Sequence, residues 1–141
     1  MSNPAKPKVL IIEDNPSDVQ LFQLALEEVG LECDLIIVQD GGEALAWVQA
    51  YVDSNDSSDR LDLAVIDLNL PKYDGLEILS TMRILSGLQR VPALVLSSSA
   101  SPKDIARVRS LPDTEYMTKP LDLDQYIQLG NLVRRLLDGH R

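Results

Sequence analysis

The sequence predicts a doubly wound α/β sandwich, a parallel sheet with helices on both faces. Four short runs rich in Val, Ile and Leu carry this expectation, at residues 9–12, 35–38, 63–66 and 93–96, with a weaker fifth at 115–117. The first four, near-continuous, fit strands buried on both faces of a parallel sheet, and the fifth gains its support from the alternation around it. Segments with helical spacing separate them, and strict alternation of strand and helix implies right-handed crossovers.

Each helix has its own signals. The first, 17–29, follows Asn15-Pro16, a cap and a first-turn proline, and Gly30 stops it. The second, 42–52, carries Ala44, Leu45, Val48 and Val52; the third, 76–85, ends at Ser86-Gly87. The fourth, 102–110, again starts on a cap and a first-turn proline, Ser101-Pro102, and Asp122 is the expected N-cap of the fifth, 123–137. The polar stretch DSNDSSDR, 53–60, reads as a surface loop. Residues 1–7 read as a flexible tail and 8–138 as the domain, with no room after it for an output domain.

Composition narrows the function. The 141 residues are 45% apolar and 25% charged, as in an ordinary single globular domain. A formal net charge of −9 disfavours nucleic acid and anionic membrane surfaces as partners. No apolar run reaches the ~18 residues of a membrane span, and the N-terminus has no signal-peptide core. The single Cys33 reads as a small buried hydrophobe, and a reducing cytoplasm fits. Trp47 reads as a packing residue and His140 as a solvated tail residue.

The chemistry gathers where strands end. The first run leads into Glu13-Asp14-Asn15, the third into Asp67, the fourth into Ser97-Ser98-Ser99 and the fifth into Thr118-Lys119-Pro120. Open α/β sheets bind ligands outside the carboxyl ends of their strands. If the first and third strands are neighbours, Glu13, Asp14 and Asp67 meet, each pair repelling by ~4 kcal/mol at about 4 Å in an effective dielectric near 20. They must share a proton or bind a cation. Hard oxygen donors, with no His or Cys nearby, point to Mg²⁺. Lys119 and Ser97 would stabilise charge on a phosphoryl group in transfer, with a carboxylate as acceptor. Taken singly these residues have plainer readings: Asp14 or Asn15 as a helix cap, Lys119 as a solvated lysine, the serines as a turn. Their coincidence at four strand ends is the signal.

The motifs VLIIEDN (9–15), LAVIDLNLPKYDG (63–75), PALVLSSSA (92–100) and YMTKP (116–120) resemble the receiver domains of bacterial two-component response regulators. The resemblance covers about residues 7–138 and implies a flavodoxin-like (βα)₅ sandwich with strand order 2-1-3-4-5. It implies Asp67 as phosphoacceptor, Asp14 and Glu13 as direct and water-mediated Mg²⁺ ligands, and the Asn69 carbonyl as a further ligand. Ser97 would be the switch hydroxyl, Lys119 the phosphoryl partner and Tyr116 the switch aromatic, with a cis peptide expected before Pro120. The chain would catalyse only its own phosphorylation and dephosphorylation. The implied partners are a sensor histidine kinase and a downstream phosphotransfer or effector protein. The loop at 53–59 and the LNLPKYDG wording are similar to the regulators paired with bacterial phytochromes. Departures from the family pattern are Glu-Asp for Asp-Asp, Ser for Thr at position 97, and Leu111-Pro112-Asp113 where Gly-Ala is common.

Two rivals share parts of this chemistry. An aspartate-nucleophile phosphohydrolase places its nucleophile after the first strand, where this chain has Glu13-Asp14-Asn15. A nucleotide-binding protein of similar fold needs an anion loop there, and an acidic loop repels phosphate.

The fifth helix supplies a last expectation. Leu123, Tyr126, Gly130, Val133 and Leu137 fall on one face, expected to pack on the sheet. Leu129, Leu132 and Leu136 form a second stripe, read as the interface of a homodimer through the fourth helix, fifth strand and fifth helix. A wide core contact, or a stripe covered by the N-terminal tail, is the plainer reading.

Overall fold

The computed structural model describes residues 6–54, 60–85, 87–98 and 101–140. Its elements are β1 (Lys8–Ile12), α1 (Pro16–Glu28), β2 (Asp34–Val38), α2 (Gly41–Ser54), β3 (Leu63–Asp67), α3 (Gly75–Ile84), β4 (Ala93–Ser97), α4 (Pro102–Ser110), β5 (Thr114–Thr118) and α5 (Leu123–His140). The five strands form one sheet in the order β2-β1-β3-β4-β5, with every neighbouring pair parallel.

The two-residue period of the strands divides the core into two layers. Leu10, Ile12, Ala64, Ile66, Ala93 and Val95 point to one face, beneath α2, α3 and α4. Val9, Ile11, Leu63, Val65, Leu94 and Leu96 point to the other, beneath α1 and α5. Each large apolar side chain buried this way contributes about 1.5–3 kcal/mol.

Local chemistry fixes the helix ends. Asn15 Oδ1 accepts from the Ser17 amide at 2.9 Å, so Asn15, not Asp14, caps α1. The helix closes with Gly30 at φ 68, where the Gly30 amide donates to the Glu27 carbonyl and the Leu31 amide to the Leu26 carbonyl. This paired pattern needs a left-handed residue, the conformation glycine adopts without steric cost. Asp122 caps α5 through the Gln125 amide at 2.9 Å. Asp113, at φ 55, shapes the turn into β5. Arg83 of α3 holds that turn, donating to the carbonyls of Pro112 and Asp113 at 3.1 Å each.

Several expectations need correction. β2 and β5 take the two edges, as the expected order has them, but the β2 run is not buried on both faces; Ile37 is 42% exposed. Leu129 is core, 1% exposed, and cannot serve as an interface residue. At 100° per residue it lies only about 40° from Val133, so it falls inside one broad buried face rather than on a second stripe. Leu132 and Leu136 are half-buried against the same cluster. Leu123, expected on the sheet, is exposed in the first turn of α5. The peptide before Pro120 is trans. Cys33 is half-buried rather than buried. Asp53 and Ser54 belong to α2, while 55–59 of the expected loop lie outside the described residues, as do residues 1–5 of the tail, Ser99 and the His140 side chain. Trp47 packs as expected, partly buried and stacked on Tyr51 with ring centroids 5.3 Å apart.

Candidate functional site

The site lies at the carboxyl ends of β1, β3, β4 and β5. Because β1 is hydrogen-bonded to β3, residues that follow or end these strands are brought together. Oxygen atoms of Glu13, Asp14 and Asp67 all lie within 4.8 Å of one another. Glu13 and Asp67 are buried, whereas Asp14 is exposed at the mouth.

Lys119 faces this cluster from the end of β5, its backbone held by a 2.8 Å hydrogen bond from its amide to the Ser97 carbonyl. Its ammonium nitrogen lies 3.2 Å from Glu13 Oε2, 3.4 Å from Asp67 Oδ2 and 2.8 Å from Asp18 Oδ2. Burial alone would lower the Lys119 pKa. The Asp18 hydrogen bond and the Glu13 and Asp67 charges outweigh it and hold the group above the ordinary lysine value.

Asp67 Oδ1 accepts from the Asn69 amide at 3.0 Å, and the Asn69 side-chain amide donates to Ser97 Oγ at 2.8 Å. Ser97 is fully buried. Tyr116, half-buried, is paired with Val95 and so faces the same side of the sheet as Ser97, two positions along β4. The structure therefore assembles Glu13, Asp14, Asp67, Asn69, Ser97 and Lys119, and places Tyr116 on the same side of the sheet as Ser97.

Sequence reasoning missed Asp18, the shortest contact of Lys119. In sequence it is an ordinary acidic residue of a first helical turn. Its one signal is its place in the first turn of the helix that starts directly after Glu13-Asp14-Asn15.

The donor set fits a divalent cation: three carboxylates, all hard oxygen, two of them buried and, among the described residues, facing one ammonium. Burial, then the Asp67 charge, pushes the Glu13 carboxyl up to about 7, with Lys119 opposing. Proton and cation thus compete for Glu13, and affinity for a divalent cation should fall as pH drops below about 7, approaching about tenfold per unit. Without metal the sign is opposite in character. The folded-state pKa exceeds the ordinary value of 4.5, so the stability tied to the Glu13 proton is fully present below about 4.5 and lost as pH rises through about 7. Mg²⁺ titrations at several pH values, and urea unfolding in chelator across the same range, check both slopes.

A five-stranded sheet in this order, with a buried carboxylate ringed by acids, a lysine and a hydroxyl at the strand ends, defines a phosphoacceptor receiver module. Residues 9–130 match the response regulator receiver domain, and the chain belongs to that family. It is 34% identical over 128 residues to the response regulator Rcp1 of Synechocystis, covering 91% of this chain and 86% of that protein. The structure of a phosphorylated cyanobacterial phytochrome response regulator, RcpA, superposes with a TM-score of 0.81 at 33% identity, covering 97% of this chain and 98% of that one. The Mn²⁺-bound form of Rcp1 gives a TM-score of 0.78 at 32% identity, covering 95% and 96%. Among the described residues no helix is long and apolar enough to cross a membrane.

Proposed function

We propose that Asp67 accepts a phosphoryl group from a sensor histidine kinase, with Mg²⁺ held by Glu13, Asp14, Asp67 and the Asn69 carbonyl. The observation that carries this reading is a buried Asp67 set between Lys119 and two further carboxylates. Mg²⁺ would neutralise charge on the transferring group. The protein's own residues do the rest. The Asp67 carboxylate attacks phosphorus as the bond to the donor breaks. Lys119 turns from its carboxylates to a phosphoryl oxygen, and Ser97 offers its hydroxyl. Ser97 must then exchange its Asn69 contact for the phosphoryl group, and Tyr116 moves into the space vacated on the same sheet face. In this reading the protein catalyses only its own phosphorylation and dephosphorylation and works in the cytoplasm. Similarity to phytochrome response regulators supports a phytochrome-type kinase as the donor, and an effector or phosphotransfer protein as the reader.

Mg²⁺ with acetyl phosphate should add one phosphoryl group, mapped to Asp67. Continuous release of phosphate from varied substrates would instead mark a hydrolase.

Signal output is proposed to pass through a homodimer using α4, β5 and α5, now without Leu129. Leu132→Glu with Leu136→Glu should give a folded monomer, less stable by about 1–3 kcal/mol because both side chains partly cover the core. A parent that sediments as a monomer at high micromolar concentration, phosphorylated or not, refutes the dimer.

A further inference from the structure

We infer that Tyr73 is a positioning residue for the phosphoacceptor site: its ring, seated on the bare backbone of Gly41 and Gly42, fixes the loop that carries Asn69. The inference deepens the proposed role of Asp67 and rests on it.

The loop joining β3 to α3 begins at Leu68 and ends at Asp74, whose carboxylate caps α3 through the Leu76 amide at 3.0 Å. Asn69 near its start binds both Asp67 and Ser97. Pro71 and Lys72, at its crest, are exposed. The next residue, Tyr73, is 37% exposed, so roughly two thirds of a large side chain is covered.

The first turn of α2 supplies that cover. A β-carbon built on Gly41 would lie 2.3 Å from Tyr73 Cγ, 2.4 Å from Cβ and 2.5 Å from Cδ2. One on Gly42 would lie 3.6 Å from the Tyr73 hydroxyl oxygen. Tyr73 therefore spans both glycines and touches backbone at the first. Gly41 is not among the residues with positive φ, so backbone conformation does not require glycine there. Its missing side chain is needed for space. Glycine in a helix is less favourable than alanine, and at this position it makes room for the ring.

The contact links α2 to the acceptor loop. If it is lost, the crest is released, and Asn69 is no longer held in one place relative to Asp67 and Ser97. Groups that orient metal ligands from behind typically matter by tenfold or more in metal affinity.

The test uses the full chain and Mg²⁺ alone, followed by the amide NMR shifts of Asp67 and Asn69. Tyr73→Ala and Gly41→Ala should each weaken Mg²⁺ binding about tenfold. The double variant should be no weaker than the weaker single, because both changes break the same contact. Tyr73→Phe, which keeps the ring, should bind like the parent. Unchanged affinity in Tyr73→Ala overturns the inference, as does a Phe variant as weak as the Ala variant, or losses that multiply in the double. If Gly41→Ala does not fold, the Ala and Phe variants at Tyr73 decide the matter by themselves. A parent that shows no Mg²⁺-dependent shift at Asp67 or Asn69 defeats the reading of the site itself, a result separate from the ratio between variants and parent.

Discussion

Asp67→Asn should take up no phosphoryl group from acetyl phosphate or from a kinase, while its fold survives. The amide keeps an oxygen to accept from the Asn69 N–H, 3.0 Å away in the parent, and occupies the same buried volume. It cannot form an acyl phosphate. It also removes the charge that helps raise the Glu13 pKa, so the Glu13 carboxyl should move back toward the ordinary range. Stability should stay within about 1 kcal/mol of the parent, since one repulsion and one attraction are lost together. Intact-mass spectrometry with donor and Mg²⁺, alongside urea unfolding, reads both outcomes. Undiminished labelling at another mapped residue would remove Asp67 from the mechanism.

Lys119→Met should have the largest effect on stability. Among the described residues its ammonium is the cation within reach of buried Glu13 and buried Asp67, and partly exposed Asp18 shares it. Deleting it leaves buried carboxylates facing one another, and removing one partner of such a group costs about 3–5 kcal/mol when burial is complete. The mouth of the site is open to solvent through Asp14 and Asp18, so about 2–3 kcal/mol is expected here at pH 8 in chelator. Saturating Mg²⁺ should restore much of it by supplying the missing positive charge. Labelling should be slow even then, because the phosphoryl group loses its ammonium partner. Equal destabilisation with and without Mg²⁺ would show that Lys119 acts by packing alone.

The fold was legible because punctuation and pattern agreed. The strand-end residues were found because an apolar run that stops abruptly at Glu13 or Asp67 is visible in one dimension. Asn15-Pro16 and Ser101-Pro102 announced their helices for the same reason. Contacts made across the sheet were not visible. Asp18 meets Lys119 from 101 residues away, and before the fold is known its carboxylate looks like any other in a first turn. The α5 stripe failed on width: a periodicity argument locates the centre of a buried face but not its edges, and Leu129 lay just inside. The edge position of β2 followed from the strand order, but its exposure did not show in the run itself, which is apolar enough for a central strand.

The two sides of the sheet differ in how firmly their helices are held. Against α1, α5 brings Gly130 so close that an added β-carbon would lie 2.5 Å from the Ala25 carbonyl oxygen, and Arg134 donates to the Val29 carbonyl beyond the end of α1. On the opposite side α4 is nine residues long and buries one of them, Val108. Helices with so little burial open locally at low free energy. The molecule thus carries its own reference frame. A fluorophore on the outer side of α4, for instance at Lys103 or Arg107, should change signal with phosphorylation, while the same dye at exposed Glu28 of α1, away from the α4, β5 and α5 surface, should stay constant. The ratio of the two gives a readout of occupancy that is independent of protein concentration.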